Sequence, residues 1–158
     1  MITAVRLALA FVLLIGSAAC SAIGGGPIDA MQGEWVFTDG IAGGAPISPI
    51  DGVRVTLKVD GTEVSGTAAC NGFSGSVEAT ATGIRFRDLF QTLIGCDQPI
   101  AALEAAFMEA LQAAEVVDRQ GDTLTLRGTD LELRFVRRQP EADAPLTGTT
   151  WTLDYRAG

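Results

Sequence analysis

Between Val53 and Val59 the chain alternates strictly: Val53, Val55, Leu57 and Val59 are apolar, and Arg54, Thr56 and Lys58 between them are polar. Side chains of a β-strand point to opposite faces in turn, so this run makes a strand with one dry face and one wet face. Asp60-Gly61 follows at once, a dipeptide suited to the positive φ angles of a two-residue hairpin, and Glu63 to Ala68 returns as the partner strand. The same reading makes strands of Ser74 to Ala79, Ile84 to Arg87 and Phe90 to Leu93. It also makes a second hairpin of Thr123 to Arg127 and Leu131 to Val136 across Gly128-Thr129-Asp130. Short strands in such a series predict a meander that curls toward closure.

One segment breaks the period of two. Ile100 to Ala114 is rich in Ala, Leu, Glu and Met, with Leu103, Phe107, Leu111 and Ala114 spaced by three or four. That spacing lays one apolar stripe along a helix and leaves Glu104, Glu109 and Gln112 mostly outside it. Asp97 offers a capping oxygen and Pro99 suits the first turn. The expected fold class is α+β: a strongly curled antiparallel β-sheet or small open barrel, with one α-helix packed against it.

The two ends of the chain read differently from its middle. Met1 to Arg6 carries a single positive charge, Leu7 to Ile15 is an almost unbroken apolar run, and Gly16 to Ala19 are small. This order is that of a secretory signal, too short to serve well as a spanning helix. With Cys20 directly after the small residues it resembles a bacterial lipoprotein signal. Residues 1–19 are then a leader, and Cys20 is the lipidated first residue of a membrane-anchored protein. Residues 20–30, with three consecutive glycines, read as a flexible tether. Ser21 after the lipidated cysteine implies the periplasmic face of the outer membrane in a Gram-negative cell. In that oxidising compartment Cys70 and Cys96 are free to pair. A bridge closing a loop of that length stabilises by roughly 3 kcal/mol. The rival is a redox-active pair, but the two cysteines lie far apart in sequence with no neighbouring His or Lys to activate a thiol.

Charge and composition narrow the function. The formal net charge is −8 and the positive charges are scattered, so the chain has no electrostatic footprint for nucleic acid or for an anionic bilayer surface. It contains no histidine, which removes the commonest general base and the commonest metal ligand together. Asp118, Asp122, Asp130 and Glu132 gather around the last hairpin, but not at the alternating spacing of a dedicated calcium loop. No metal, cofactor or catalytic residue is expected.

Four pieces together resemble the META/HslJ family of bacterial envelope proteins, formerly a domain of unknown function. They are Gly33-Glu34-Trp35 on an opening strand, the small-residue run Ser65 to Ala69 into Cys70-Asn71-Gly72-Phe73-Ser74-Gly75, Thr92-Leu93-Ile94-Gly95-Cys96 followed by Glu104 and Phe107, and the last hairpin. Ile94 stands where the family usually carries methionine. The resemblance covers roughly residues 31 to 137, so a META-like domain is assigned to residues 31–138. It implies a small curled sheet with one helix, often carried by a lipoprotein, and no established catalytic activity. Its association with heat shock and novobiocin tolerance implies a role in envelope stress or drug tolerance.

Two elements invite a functional reading beside a plainer one. Asn71, Gly72, Phe73, Ser74 and Gly75 could form a binding loop next to the bridge; equally, Asn and Gly permit a tight turn or bulge while Phe73 enters the core. Trp35 and Trp151 could line a cleft, though a tryptophan on an opening strand is more often core. After a linker at 139–145, Leu146 to Leu153 echoes the segment from Met31 to Phe37. Residues 146–158 are thus the start of a second, truncated META-like repeat, or an added strand of the first. The resulting expectation is a non-enzymatic envelope lipoprotein with a binding or protective role, acting through an envelope protein partner. The alternative is a small-molecule carrier or protein-inhibitor module using the open end of the sheet.

Overall fold

A computed structural model of the protein describes residues 25–139. The leader, Cys20, the first part of the expected tether, and residues 140–158 with Trp151 lie outside the described residues. The elements run α1 (Pro27–Met31), β1 (Gly33–Ala42), β2 (Ala45–Ile47), β3 (Thr56–Asp60), β4 (Glu63–Ala68), β5 (Asn71–Ala79) and β6 (Ile84–Gln91). They continue with α2 (Gln98–Gln112), β7 (Val116–Gln120), β8 (Thr123–Gly128) and β9 (Leu131–Arg137).

All nine strands belong to one antiparallel sheet, in the order β6-β5-β4-β3-β1-β9-β8-β7 with β2 paired to β1. The sheet curls into a half-barrel. At one corner its two edges meet: the Ile84 N–H, at the start of β6, donates to the carbonyl of Glu115 just before β7, at 2.8 Å. α1 touches β7 and β5, and α2 touches β2, β4, β6 and β9. The α+β expectation therefore holds, with a curled sheet and one long helix.

The core follows from the alternation. Leu57 and Val59 point inward from β3, Phe73 and Val77 from β5, Leu124 and Leu126 from β8, and Leu133 and Phe135 from β9. Phe107 of α2 is fully buried, with its ring centroid 5.5 Å from that of Phe37, 6.1 Å from Phe73 and 6.2 Å from Phe135. These tilted and edge-on rings fasten the helix to three strands. Trp35 is core: it is fully buried, and its indole N–H donates to the Met31 carbonyl at 2.6 Å. Arg137 stacks over its ring at 4.5 Å from the centroid.

Several boundaries differ from the sequence reading. β3 begins only at Thr56, because Val55 forms an isolated bridge to Ala68 and accepts from the Phe37 N–H. The two short strands expected at 84–87 and 90–93 are one strand, β6, which ends at Gln91. Asp88, at φ 49°, absorbs an irregularity opposite Gly75 that shifts the register between Ser74 and Ser76 and keeps the chain in the sheet. Pro27–Met31, within and just beyond the expected tether, is a helical turn that buries Met31. β2 and β7 are additions. Asp97 occupies the cap of α2, but its side chain caps nothing; its backbone carbonyl accepts from Ile100 and Ala101 instead.

Candidate functional site

The turn from β4 to β5 is two residues long, Ala69-Cys70, and Ala69 takes a positive φ of 76°. It brings the backbone N–H groups of Cys70 and Asn71 to one carboxylate oxygen of Glu104, Oε2, at 3.1 and 2.6 Å. The other oxygen, Oε1, accepts from Asn71 Nδ2 at 2.7 Å and from Gln91 Nε2 at 3.2 Å. Glu104 is buried, so α2 presents its carboxylate to four donors drawn from β5, β6 and the turn.

Asn71 is buried as well and spends its whole amide. Its Oδ1 accepts from the Thr92 hydroxyl and from the Ile94 N–H, both at 2.7 Å. Its Nδ2 donates to Glu104 and, at 3.2 Å, to the Ile94 carbonyl. One side chain thus grips both backbone groups of Ile94, as a neighbouring strand would. Two residues further on, Cys96 is joined to Cys70 by a disulfide, with Cα atoms 6.5 Å apart. The segment Thr92–Cys96 between β6 and α2 is held from several sides.

What this segment presents to solvent is apolar. Leu93 is 92% exposed, Ile94 63%, and Phe90, on the outer face of β6, 65%. Phe90 stands opposite Ser74, Ser74 opposite Ser65, and Ser65 opposite Lys58, so small side chains form a shelf beside the phenyl ring. A depression lined by Lys58, Asp60, Glu63, Ser65, Ser74 and Phe90 runs along it. The arrangement supplies no nucleophile with a base beside it. It holds an apolar edge in fixed geometry.

The expected site residues fall into this picture unequally. Asn71–Gly75 form the first part of β5 rather than a loop, with Asn71 and Phe73 buried and Gly72 exposed. The positive φ foreseen within this run lies outside it, at Ala69 and Asp88. Asn71 and the Cys70–Cys96 bridge come together; Cys20 lies outside the described residues. Glu104, Gln91 and Thr92 are the members that sequence reasoning did not assign to a site. A signal was available for Glu104: Ile100, Glu104, Phe107 and Leu111 recur at four, three and four, which puts the acid on the buried face. Three of the four acids around the last hairpin are drawn instead to arginines, Asp118 and Glu132 to Arg127 and Asp122 to Arg137. Among the described residues no three His, Cys, Asp or Glu side chains gather as a metal site would require.

The chain resembles solved structures of modest sequence identity. An NMR structure of a protein from Burkholderia xenovorans matches with a TM-score of 0.62 at 23% identity, over 72% of this chain and 87% of that one. A second NMR structure matches with a TM-score of 0.54 at 22% identity, over 72% and 95%. A crystal structure of a DUF4847 family protein from Bacteroides vulgatus matches with a TM-score of 0.50 at 13% identity, over 70% and 96%. At such identities the likeness is one of fold alone. No curated protein matches the chain. The family model described as the META domain matches residues 29–140, spanning every strand, the long helix α2 and the Cys70–Cys96 bridge. The chain belongs to the META domain family.

Proposed function

We propose that the protein is a non-enzymatic binding module, exported and anchored through lipid on Cys20, that docks an envelope protein. One observation carries the binding role. A buried network of Asn71 and Glu104, together with a disulfide, holds a segment whose Leu93 is 92% exposed and Ile94 63% exposed. Exposed apolar side chains on rigid backbone meet a partner without first losing conformational freedom. The leader supports the anchored location, and the rings of Phe37, Phe107 and Phe135 occupy the interior in which a carrier would hold its ligand. Protection under envelope stress or drug exposure follows from such docking in this reading.

A photo-crosslinking residue placed at Leu93 of the full chain, in cells that process the leader, tests the proposal. The expected result is one protein adduct of defined mass in the membrane fraction, absent when the probe replaces Glu109. The intact mass should start at Cys20 and carry acyl groups. No adduct at Leu93, or a soluble unacylated product, would refute it.

A further inference from the structure

The chemistry of the partner can be narrowed, and the inference rests on the binding reading above. We infer that the end of β6 at Leu89–Gln91, with the Leu93-Ile94 segment that follows it, receives an extended protein segment with alternating apolar side chains and flanking lysines or arginines. β6 ends the strand order, and among the described residues its one backbone hydrogen bond toward the opposite end of the sheet runs from Ile84 to the carbonyl of Glu115, the residue before β7. Beyond the irregularity at Asp88, the stretch from Leu89 to Gln91 therefore pairs with β5 alone among the described residues. An unpaired strand edge is a template for an incoming strand. Phe90, Leu93 and Ile94 give such a segment apolar anchorage.

The sign of the charge comes from the chain itself. From Asp88 to Asp118 there is no lysine or arginine, while Asp88, Asp97, Glu104, Glu109, Glu115 and Asp118 all fall there. Asp60, Glu63, Asp88 and Asp97 are exposed and form no ion pair among the described residues. Lys58 is the cation of the depression beside Phe90, and Arg85 and Arg87 on the outer face of β6 already share Glu78. An anionic bilayer is repelled by this rim. A second copy of the chain, at net charge −8, is repelled as well. A basic segment is attracted and oriented.

The test uses the chain from residue 20 onward carrying Cys20→Ser, with a synthetic nine-residue peptide of alternating lysine and valine as the probe. A glutamate–valine peptide of equal length serves as the control. Amide chemical shifts should move saturably for Leu89 to Ile94, and the glutamate peptide should bind at least about tenfold more weakly, a difference of about 1.4 kcal/mol. Combined Phe90→Ser and Leu93→Ser should weaken the lysine peptide by a similar factor. Both side chains are exposed, so an unchanged melting temperature shows that the fold survives. Equal binding of the two peptides overturns the inference, as do shifts confined to other strands. Dimerisation at the same concentrations overturns it in favour of a second copy. Binding to phosphatidylcholine vesicles that is lost with Leu93→Ser overturns it in favour of a bilayer. An adduct at Leu93 in cells combined with failure of the lysine peptide sinks this inference alone; loss of both sinks the binding reading too.

Discussion

Replacing Glu104 with Gln exchanges one accepting oxygen for a donating NH2 in a site whose four neighbours all donate. If the amide nitrogen faces the turn, it opposes the N–H groups of Cys70 and Asn71. If it faces the other way it meets Gln91, which can flip, and Asn71, which cannot, because Thr92 and Ile94 already hold its Oδ1. A buried donor is stranded in either orientation, and Glu104→Gln should cost about 2–4 kcal/mol in urea denaturation. Glu109→Gln, on the exposed face of the same helix, should stay within about 0.5 kcal/mol. Equal effects would mean that the network contributes nothing to stability. Glu132 offers a contrast on the surface. The hydrogen bond from Arg127 holds its carboxyl below the usual glutamate value of 4.5, with Arg134 acting in the same sense. A depressed folded value contributes stability that is fully present above the unfolded value and is lost as pH falls through the folded one. The stability difference between wild type and Glu132→Gln should thus be flat near neutrality and vanish in acid. It should stay below about 1 kcal/mol, because both arginines are half exposed. A difference that persists below pH 3 would rule out the ion pairs as its source.

At the scale of elements, β5 and its neighbours separate two glycines that the sequence makes look alike. A Cβ on Gly75 would lie 2.7 Å from the Arg87 carbonyl oxygen and 3.0 Å from that of Asp88, where the register slips against β6. A Cβ on Gly72 would find nothing nearer than the Gly66 carbonyl oxygen at 3.8 Å. Gly75→Ala should therefore cost about 1–3 kcal/mol and Gly72→Ala no more than about 0.5 kcal/mol, read from thermal or urea unfolding. The reverse order would mean that the slip is not set by steric contact at Gly75. The same neighbourhood marks what the chain discloses locally. The alternation of Leu57 and Val59 and the Asp60-Gly61 turn depend on nearest neighbours, so β3 and β4 could be read directly. So could the long helix, from its stripe. The slip at Asp88 depends on Gly75 across the sheet, and no local pattern reports it; one strand was read as two. β7 hides for a different reason. Val116 is 46% exposed and Val117 only half-buried, so Val-Val-Asp-Arg-Gln never alternates in sequence. In the site, Cys70, Asn71 and Cys96 stood out by type, whereas Glu104 was placed by its charge on the wrong face of α2. Its spacing from Phe107 and Leu111 already put it on the buried face, but the turn donors that hold its carboxylate are assembled only by the tertiary fold.

Over the whole molecule, the disulfide joins the β4–β5 turn to the residue two before α2, a separation of 26. Its main effect is expected in the unfolded chain, where the cross-link removes loop-closure freedom worth about 3 kcal/mol. Domains of this size are stable by about 5–15 kcal/mol, so a chain carrying Cys70→Ala and Cys96→Ala should still fold. The way the loss is distributed separates two roles of the bridge. A constraint on the unfolded state lowers the exchange protection of the deepest core amides, such as those of Phe107 and Leu126, by the full amount. It leaves the Thr92–Cys96 segment positioned as before, because Asn71 still grips both backbone groups of Ile94. A local staple does the opposite: Ile94 loses protection while Phe107 and Leu126 keep theirs. Hydrogen exchange on the double variant should give the first pattern, with the urea midpoint lowered and the apolar edge of Phe90, Leu93 and Ile94 still competent to bind. The second pattern would make the bridge, rather than the Asn71–Glu104 network, the device that holds that edge in place.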